Sequence, residues 1–151
     1  DVLAENSDFI QSAVYSNSKK LKDRNTSVLY YDCTNYFFEI EEADGLKQYG
    51  LSKEHRPNPI VQMGLFLDGD GIPLAFNIFS GNKNEQPTLI PLEKQIIHDF
   101  GLSRFIVCTD AGLASMSNRR FNTLNDRSYV VTQSLKQLKN HLKEWALDCK
   151  G

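Results

Sequence analysis

The sequence predicts an α/β fold: a mixed five-stranded sheet, three antiparallel strands then αβαβα, flanked by helices. Three observations carry this. Two apolar runs, Ile60–Leu67 and Ile72–Phe79, are joined by Asp68-Gly69-Asp70-Gly71, residues that tolerate the positive φ of a tight hairpin. Upstream, Val28-Leu29-Tyr30-Tyr31-Asp32-Cys33 is aliphatic, aromatic and β-branched, and reads as a third strand. Downstream, helical periodicity alternates with two further short apolar runs.

Taken in order, Leu3, Phe9, Ile10, Ala13 and Val14 recur at helical spacing and predict a helix over about 4–16. A polar, basic link follows, then the strand at 28–33. Residues 35–59 are polar and broken by Gly45, Gly50, Pro57 and Pro59, so they read as an irregular insertion. After the hairpin, Leu89, Leu92, Ile96, Ile97 and Phe100 share one helical face, closed by Gly101 as a C-cap. A strand over 104–109 leads to Asp110-Ala111-Gly112. Ser115 or Ser117 can cap a helix running to about Leu124. Ser128 to Thr132 is the fifth strand. Leu135, Leu138, Leu142 and Trp145 predict a last helix with one apolar seam.

Composition narrows the class. With 151 residues the chain makes one domain around one core. A net charge of −2 gives no global attraction for nucleic acid, so any such contact rests on local patches. No run approaches the roughly 18 apolar residues of a membrane span, and no signal peptide is visible. The three cysteines, Cys33, Cys108 and Cys149, lack CxxC spacing and read as reduced thiols of a cytoplasmic protein. A start at Asp1 and an end at Gly151, just after a helical pattern, suggest a piece of a longer chain.

Two strands carry an odd choice. Asp32 lies within one apolar run, and Phe105-Ile106-Val107-Cys108-Thr109 ends in Asp110. A charge in a buried strand is costly unless paired or bound to metal. If the first and fourth strands are parallel neighbours, both carboxylates reach one end of the sheet. Paired carboxylates suit a hard divalent cation, and two such ions support phosphodiester chemistry. The competing reading is structural: a salt bridge at Asp32, a turn or cap at Asp110.

The residues also resemble a known family, the catalytic domain of bacterial insertion-sequence transposases of the DDE type, with a ribonuclease H-like fold. The matching stretches are Tyr30-Tyr31-Asp32-Cys33-Thr34 with Phe37-Phe38-Glu39; Gly50-Leu51-Ser52-Lys53-Glu54-His55-Arg56-Pro57; Gly71-Ile72-Pro73-Leu74 leading to Phe79-Ser80-Gly81-Asn82; and Thr109-Asp110-Ala111-Gly112-Leu113. Each is weak alone; their order and spacing together are fairly specific. The resemblance implies that Asp32 and Asp110 are the first two acidic residues of the triad, catalytic and metal-binding. It implies Mg²⁺ or Mn²⁺, two ions in the complete site. The activity implied is hydrolysis at transposon ends, then attack of the freed 3′-hydroxyl on target DNA. Double-stranded DNA is the implied partner, with no membrane, a homodimer of the full-length protein, and a cytoplasmic, nucleoid-associated location.

The third acidic residue of such a triad would follow the fifth strand. Glu144 is the only carboxylate well inside the last predicted helix, but its seam neighbours put it off the buried face. The third Glu is therefore expected beyond Gly151, and residues 1–151 alone are expected to be inactive. The DNA-contact candidates are Lys53 and Arg56 in the insertion, Arg119 and Arg120 after Asp110, and Lys136, Lys139 and Lys143 on one face of the last helix. The plain alternative for each is a solvated surface. Asp68-Gly69-Asp70-Gly71 only faintly suggests a calcium loop, because position 12 counted from Asp68 is Phe79. His55, His98 and His141 lack ligand spacing. Two rival functions stand beside the transposase: another metal nuclease of this fold, a resolvase or ribonuclease, and a non-catalytic DNA-binding or interaction domain.

Overall fold

The strand that carries Asp32 is longer than its apolar run and forms the middle of the sheet. In the computed structural model, which describes residues 2–148, β1 spans Val28–Phe37 and so takes in Asn35, Tyr36 and Phe37. β2 (Ile60–Leu67) pairs with it antiparallel, from Tyr30↔Leu67 to Phe37↔Ile60. The hairpin carries the chain into β3 (Pro73–Ser80), antiparallel to β2. β4 (Ile106–Thr109) and β5 (Ser128–Val131) follow in parallel, giving the order β3-β2-β1-β4-β5. This is the predicted mixed five-stranded sheet, with the strand order of a ribonuclease H-like fold.

The helices are α1 (Val2–Glu5), α2 (Ser7–Ser18), α3 (Leu89–Asp99), α4 (Met116–Phe121) and α5 (Asn140–Leu147). The single N-terminal helix expected from spacing is thus two, and it runs on to Ser18. Strand alternation sends Leu29, Tyr31 and Cys33 to one face of the sheet. There they join Phe66, Ala75 and Val107 against Tyr15 of α2 and Leu89, Leu92 and Ile96 of α3. Full burial of such a side chain is worth roughly 1.5–3 kcal/mol, so this layer is the main source of stability. Gly101 closes α3 at φ +68°, a conformation that costs a glycine little.

Two buried polar arrangements hold this layer in register. Tyr31 Oη and Thr88 Oγ1 lie 2.7 Å apart, with the Cys33 thiol 3.3 Å from the same hydroxyl, tying the back of β1 to the start of α3. Gly64 makes room for that tyrosine, since a Cβ there would sit 2.1 Å from Tyr31 Oη. At the hairpin, Asp68 Oδ1 accepts from the backbone N–H groups of Asp70 and Ile72 at 3.0 and 2.8 Å. Its Oδ2 accepts from Arg24 Nε at 2.6 Å, both side chains being almost wholly buried. Burial alone would raise the Asp68 pKa; the Arg24 hydrogen bond and charge and the two backbone donors outweigh it and hold the carboxyl below its usual range. The Asp-Gly stretch is a turn, and its first aspartate is a structural anchor.

The last helix departs from expectation. Leu135–Gln137 form one turn of 3₁₀ helix, the chain extends at Leu138 and Lys139, and only then does α5 begin. Among the described residues α5 buries none of its side chains, and Trp145 is 76% exposed. The predicted seam is therefore split: Leu135 and Leu138 lie outside α5, and only Leu142 and Trp145 are on it. Cys149 lies outside the described residues.

Candidate active site

Asp32 and Asp110 arrive at the same level of the sheet from two neighbouring strands. The parallel register pairs Tyr30 with Cys108, and two residues further along each chain come Asp32 and Asp110. β4 ends at Thr109, so Asp110 sits just past its strand while β1 continues. Both aspartates line one groove of about 530 Å³ on the sheet face opposite the core. Its floor is mostly apolar: Tyr30, Met63, Leu65, Leu67 and Cys108.

The sequence expectation of a charge inside a buried strand is corrected here. Asp32 has the parity of Tyr30, not of Leu29, Tyr31 and Cys33, and its side chain is 72% exposed. Burial therefore does not force a partner on Asp32. Position does: its Oδ1 accepts from the Cys33 N–H at 2.8 Å and lies 3.9 Å from the Lys53 ammonium. Asp110 has a local structural job as well. It is the N-cap of the 3₁₀ turn Ala111–Leu113, with Oδ1 accepting from Leu113 N–H at 3.2 Å. Each aspartate has one oxygen bonded to the backbone, and both residues line the groove.

These residues fit a divalent cation as part of a set. They are hard oxygen donors on adjacent strands, and Mg²⁺ or Mn²⁺ takes one or two carboxylates with water and phosphate completing the shell. Among the described residues no group of three or more His, Cys, Asp or Glu is placed to hold a metal. Glu144 does not line the groove; it stands exposed on α5.

The basic candidates divide. Lys53 is brought to the site: its ammonium donates to the Cys33 carbonyl and sits beside Asp32. It can do so because β1 has no β4 partner beyond Tyr30, which leaves that strand edge open. Arg56 stacks over the Phe37 ring at 4.0 Å and pairs with Glu54 at 2.7 Å. Arg119 is half-buried and donates to Gln133 at 3.3 Å, while Arg120 is exposed. Lys136, Lys139 and Lys143 do not share one helix face: Lys136 is in the 3₁₀ turn, Lys139 is the extended residue before α5, and Lys143 is within it. None of these six lines the groove.

Sequence reading missed several buried polar residues around the site. Asn118 holds the turn after Asp110 in place, donating to the carbonyls of Leu113 and Gln86 at 2.8 and 2.9 Å. Asn122 donates to Glu93 Oε2 at 3.1 Å, linking α4 to α3. Glu93 was detectable, because it shares the apolar face of α3 with Leu89, Leu92 and Ile96. Gln62 was too, because it has the inward parity of Gly64 and Phe66.

No protein-family model matches the chain, and no curated protein matches it in sequence. Solved structures do. The chain is similar to piggyBac transposase in a synaptic complex with hairpin DNA, at 12% identity and a TM-score of 0.50, covering 76% of this chain and 26% of that one. It is also similar to the catalytic domain of Mos1 mariner transposase, at 11% identity and a TM-score of 0.46, covering 85% and 60%. A third, the Mos1 mariner paired end complex with Mn, gives 15% identity and 0.43, covering 82% and 40%. This chain thus spans between 26% and 60% of the length of those proteins. At these identities the likeness concerns the fold.

Proposed function

We propose that the chain is the catalytic core, or most of it, of a DNA transposase of the DDE type, with Asp32 and Asp110 as two of its metal-holding carboxylates. The observation that carries this reading is the level parallel register that sets the two aspartates in one open groove. The fold shared with piggyBac transposase supports it at the level of architecture. The insertion-sequence motifs quoted above favour that branch of the class.

In this reading Asp32 and Asp110 hold the metal in the groove, and the backbone bonds at Cys33 and Leu113 fix one oxygen of each. A bound Mg²⁺ or Mn²⁺ would activate the attacking oxygen and stabilise the leaving one. Lys53 supplies a positive charge beside Asp32 that can contact a DNA phosphate. The third carboxylate is expected beyond Gly151, so residues 1–151 alone bind metal and DNA but do not cleave.

Two measurements test this. Calorimetry with Mn²⁺ should show binding to the wild-type chain and a loss of at least tenfold in Asp32→Asn and in Asp110→Asn. No ion binding to the wild type would sink the catalytic reading and leave a non-catalytic domain. The full-length protein should cleave transposon-end DNA, and Asp32→Asn should abolish cleavage without unfolding it. Cleavage of branched junctions or RNA–DNA hybrids in place of transposon ends would turn the assignment to the resolvase or ribonuclease alternative.

A further inference from the structure

Lys53 belongs to two neighbourhoods. Its ammonium donates to the Cys33 carbonyl and lies 3.9 Å from Asp32 Oδ1. The same residue forms part of the wall of a second pocket, of about 580 Å³, between the turn at 51–55 and the loop at 81–85. Glu85 is in that wall too, and among the described residues its carboxylate has no hydrogen-bond or ion-pair partner. One ammonium thus has two carboxylates in its surroundings, Asp32 of the groove and Glu85 of the pocket.

The pair with Asp32 is built to exchange. The Arg24 and Asp68 side chains, which anchor the hairpin, are 4% and 0% exposed, whereas those of Lys53 and Asp32 are 49% and 72% exposed. An ion pair so open to water is weak. The turn that carries Lys53 is held by other contacts. His55 N–H donates to the Ser52 carbonyl at 3.0 Å, Ser52 is buried, and Arg56 packs over the Phe37 ring at 4.0 Å. A compact charge on a flexible four-carbon stem can therefore leave Asp32 while the turn stays. What Lys53 holds is a carboxylate and a main-chain carbonyl, the kinds of oxygen that a hard divalent ion takes. A divalent ion at Asp32 repels an ammonium at that distance.

We infer that Lys53 is a resident counter-ion of Asp32 that moves over to Glu85 when Mg²⁺ or Mn²⁺ binds, and that Glu85 is the positioning residue that receives it. The inference rests on the reading of Asp32 and Asp110 as a metal site. In the metal-free chain Lys53 offsets the charge of Asp32. With the ion bound, Glu85 holds Lys53 where it no longer opposes the ion. An ammonium has three donors, so Lys53 held by Glu85 can still meet a DNA phosphate. Lys83 shares the pocket wall and is the rival partner for Glu85.

The test is a double-mutant cycle on Mn²⁺ affinity, read by calorimetry in the wild type, Lys53→Met, Glu85→Gln and the double variant. Lys53→Met should bind Mn²⁺ at least threefold more tightly, because no charge has to be moved. Glu85→Gln should bind it at least threefold more weakly, and the same change made on top of Lys53→Met should leave the Kd unaltered. Fixed charges around the site would act independently and give an additive cycle, and a Glu85 paired with Lys83 would have the same effect in both backgrounds. NMR with diamagnetic Mg²⁺ gives a readout that needs no variant to fold. The ion should shift the Glu85 carboxylate carbon and the Lys53 ammonium nitrogen of the wild type, and should leave the Glu85 carbon of Lys53→Met in place. If a variant does not fold, the wild-type signals decide. Weaker Mn²⁺ binding in Lys53→Met, an additive cycle, or a Glu85 carbon that ignores Mg²⁺ would overturn the inference and leave the metal site standing. A wild type that binds no divalent ion removes the metal site itself, and the exchange with it.

Discussion

Glu93 is fully buried on α3 and its ionisation opposes folding. Burial pushes its carboxyl up to about 7 from 4.5, against the Asn122 hydrogen bond and the Arg127 charge, which lower it. Its Oε1 has no partner, and neither has Asn122 Oδ1. A protonated Glu93 gains a donor, and the orphaned amide oxygen needs one. The folded-state value lies above the unfolded one, so the folded chain binds more protons. The Glu93 contribution to stability is then greatest below about pH 4.5 and is lost as pH rises through 7. Glu93→Gln should remove that dependence and raise stability at pH 8 by on the order of 2 kcal/mol. Urea unfolding of both proteins at pH 5 and pH 8 checks it; a variant less stable than wild type at pH 8 would show that the carboxylate is wanted charged. The composition of α3 announced this residue, as a carboxylate among leucines and isoleucines. Its partner Asn122 was not legible, because nothing in sequence says which helix faces which.

At the scale of elements, local pattern worked where one face of an element is buried and failed where none is. β2 was readable to its ends because its pairing partners bury it on both edges. The 135–147 stretch has the same clarity of period, yet it breaks at Leu138 and its helix buries none of its side chains among the described residues. Periodicity states which residues can share a face and is silent on whether that face is covered. Close backbone approach is the other illegible feature. A Cβ at Gly81 would lie 2.0 Å from the Ile60 carbonyl and 2.5 Å from that of Gln48, where the 38–59 segment docks by the Gln48↔Ile60 bridge. Backbone cannot step aside as a side chain can. Gly81→Ala should therefore cost about 2–3 kcal/mol, or displace the 38–59 segment with the Lys53 turn it carries. Chemical denaturation measures the first; loss of protease resistance near Gln48 reports the second. Gly71, with nothing near its Cβ but a φ of +79°, should lose only about 1 kcal/mol on the same change.

For the whole molecule, the sequence showed two carboxylates on apolar strands, but only the return from β3 through α3 to a β4 lying parallel beside β1 makes them neighbours. That placement has a thermodynamic signature independent of cleavage. Two like charges set side by side raise the free energy of the metal-free fold. Asparagine is the informative substitute, because its Oδ1 still accepts from Cys33 N–H or Leu113 N–H while the charge is gone. Without metal, both Asn variants should melt at or above the wild-type temperature. Asp110→Asn should gain more, since at Asp32 the nearby Lys53 ammonium already offsets part of the repulsion and is left behind by the change. With Mn²⁺ at a hundred times its Kd, the wild type should gain about 2.7 kcal/mol and both variants far less. Calorimetric melts of the three proteins, with and without Mn²⁺, give all the comparisons. If the variants melt several degrees lower without metal and still respond to Mn²⁺, the aspartates serve the turn and the strand alone. If the order crosses over on adding the ion, the chain has accepted a less stable fold to keep two carboxylates together, and only a ligand they share accounts for that.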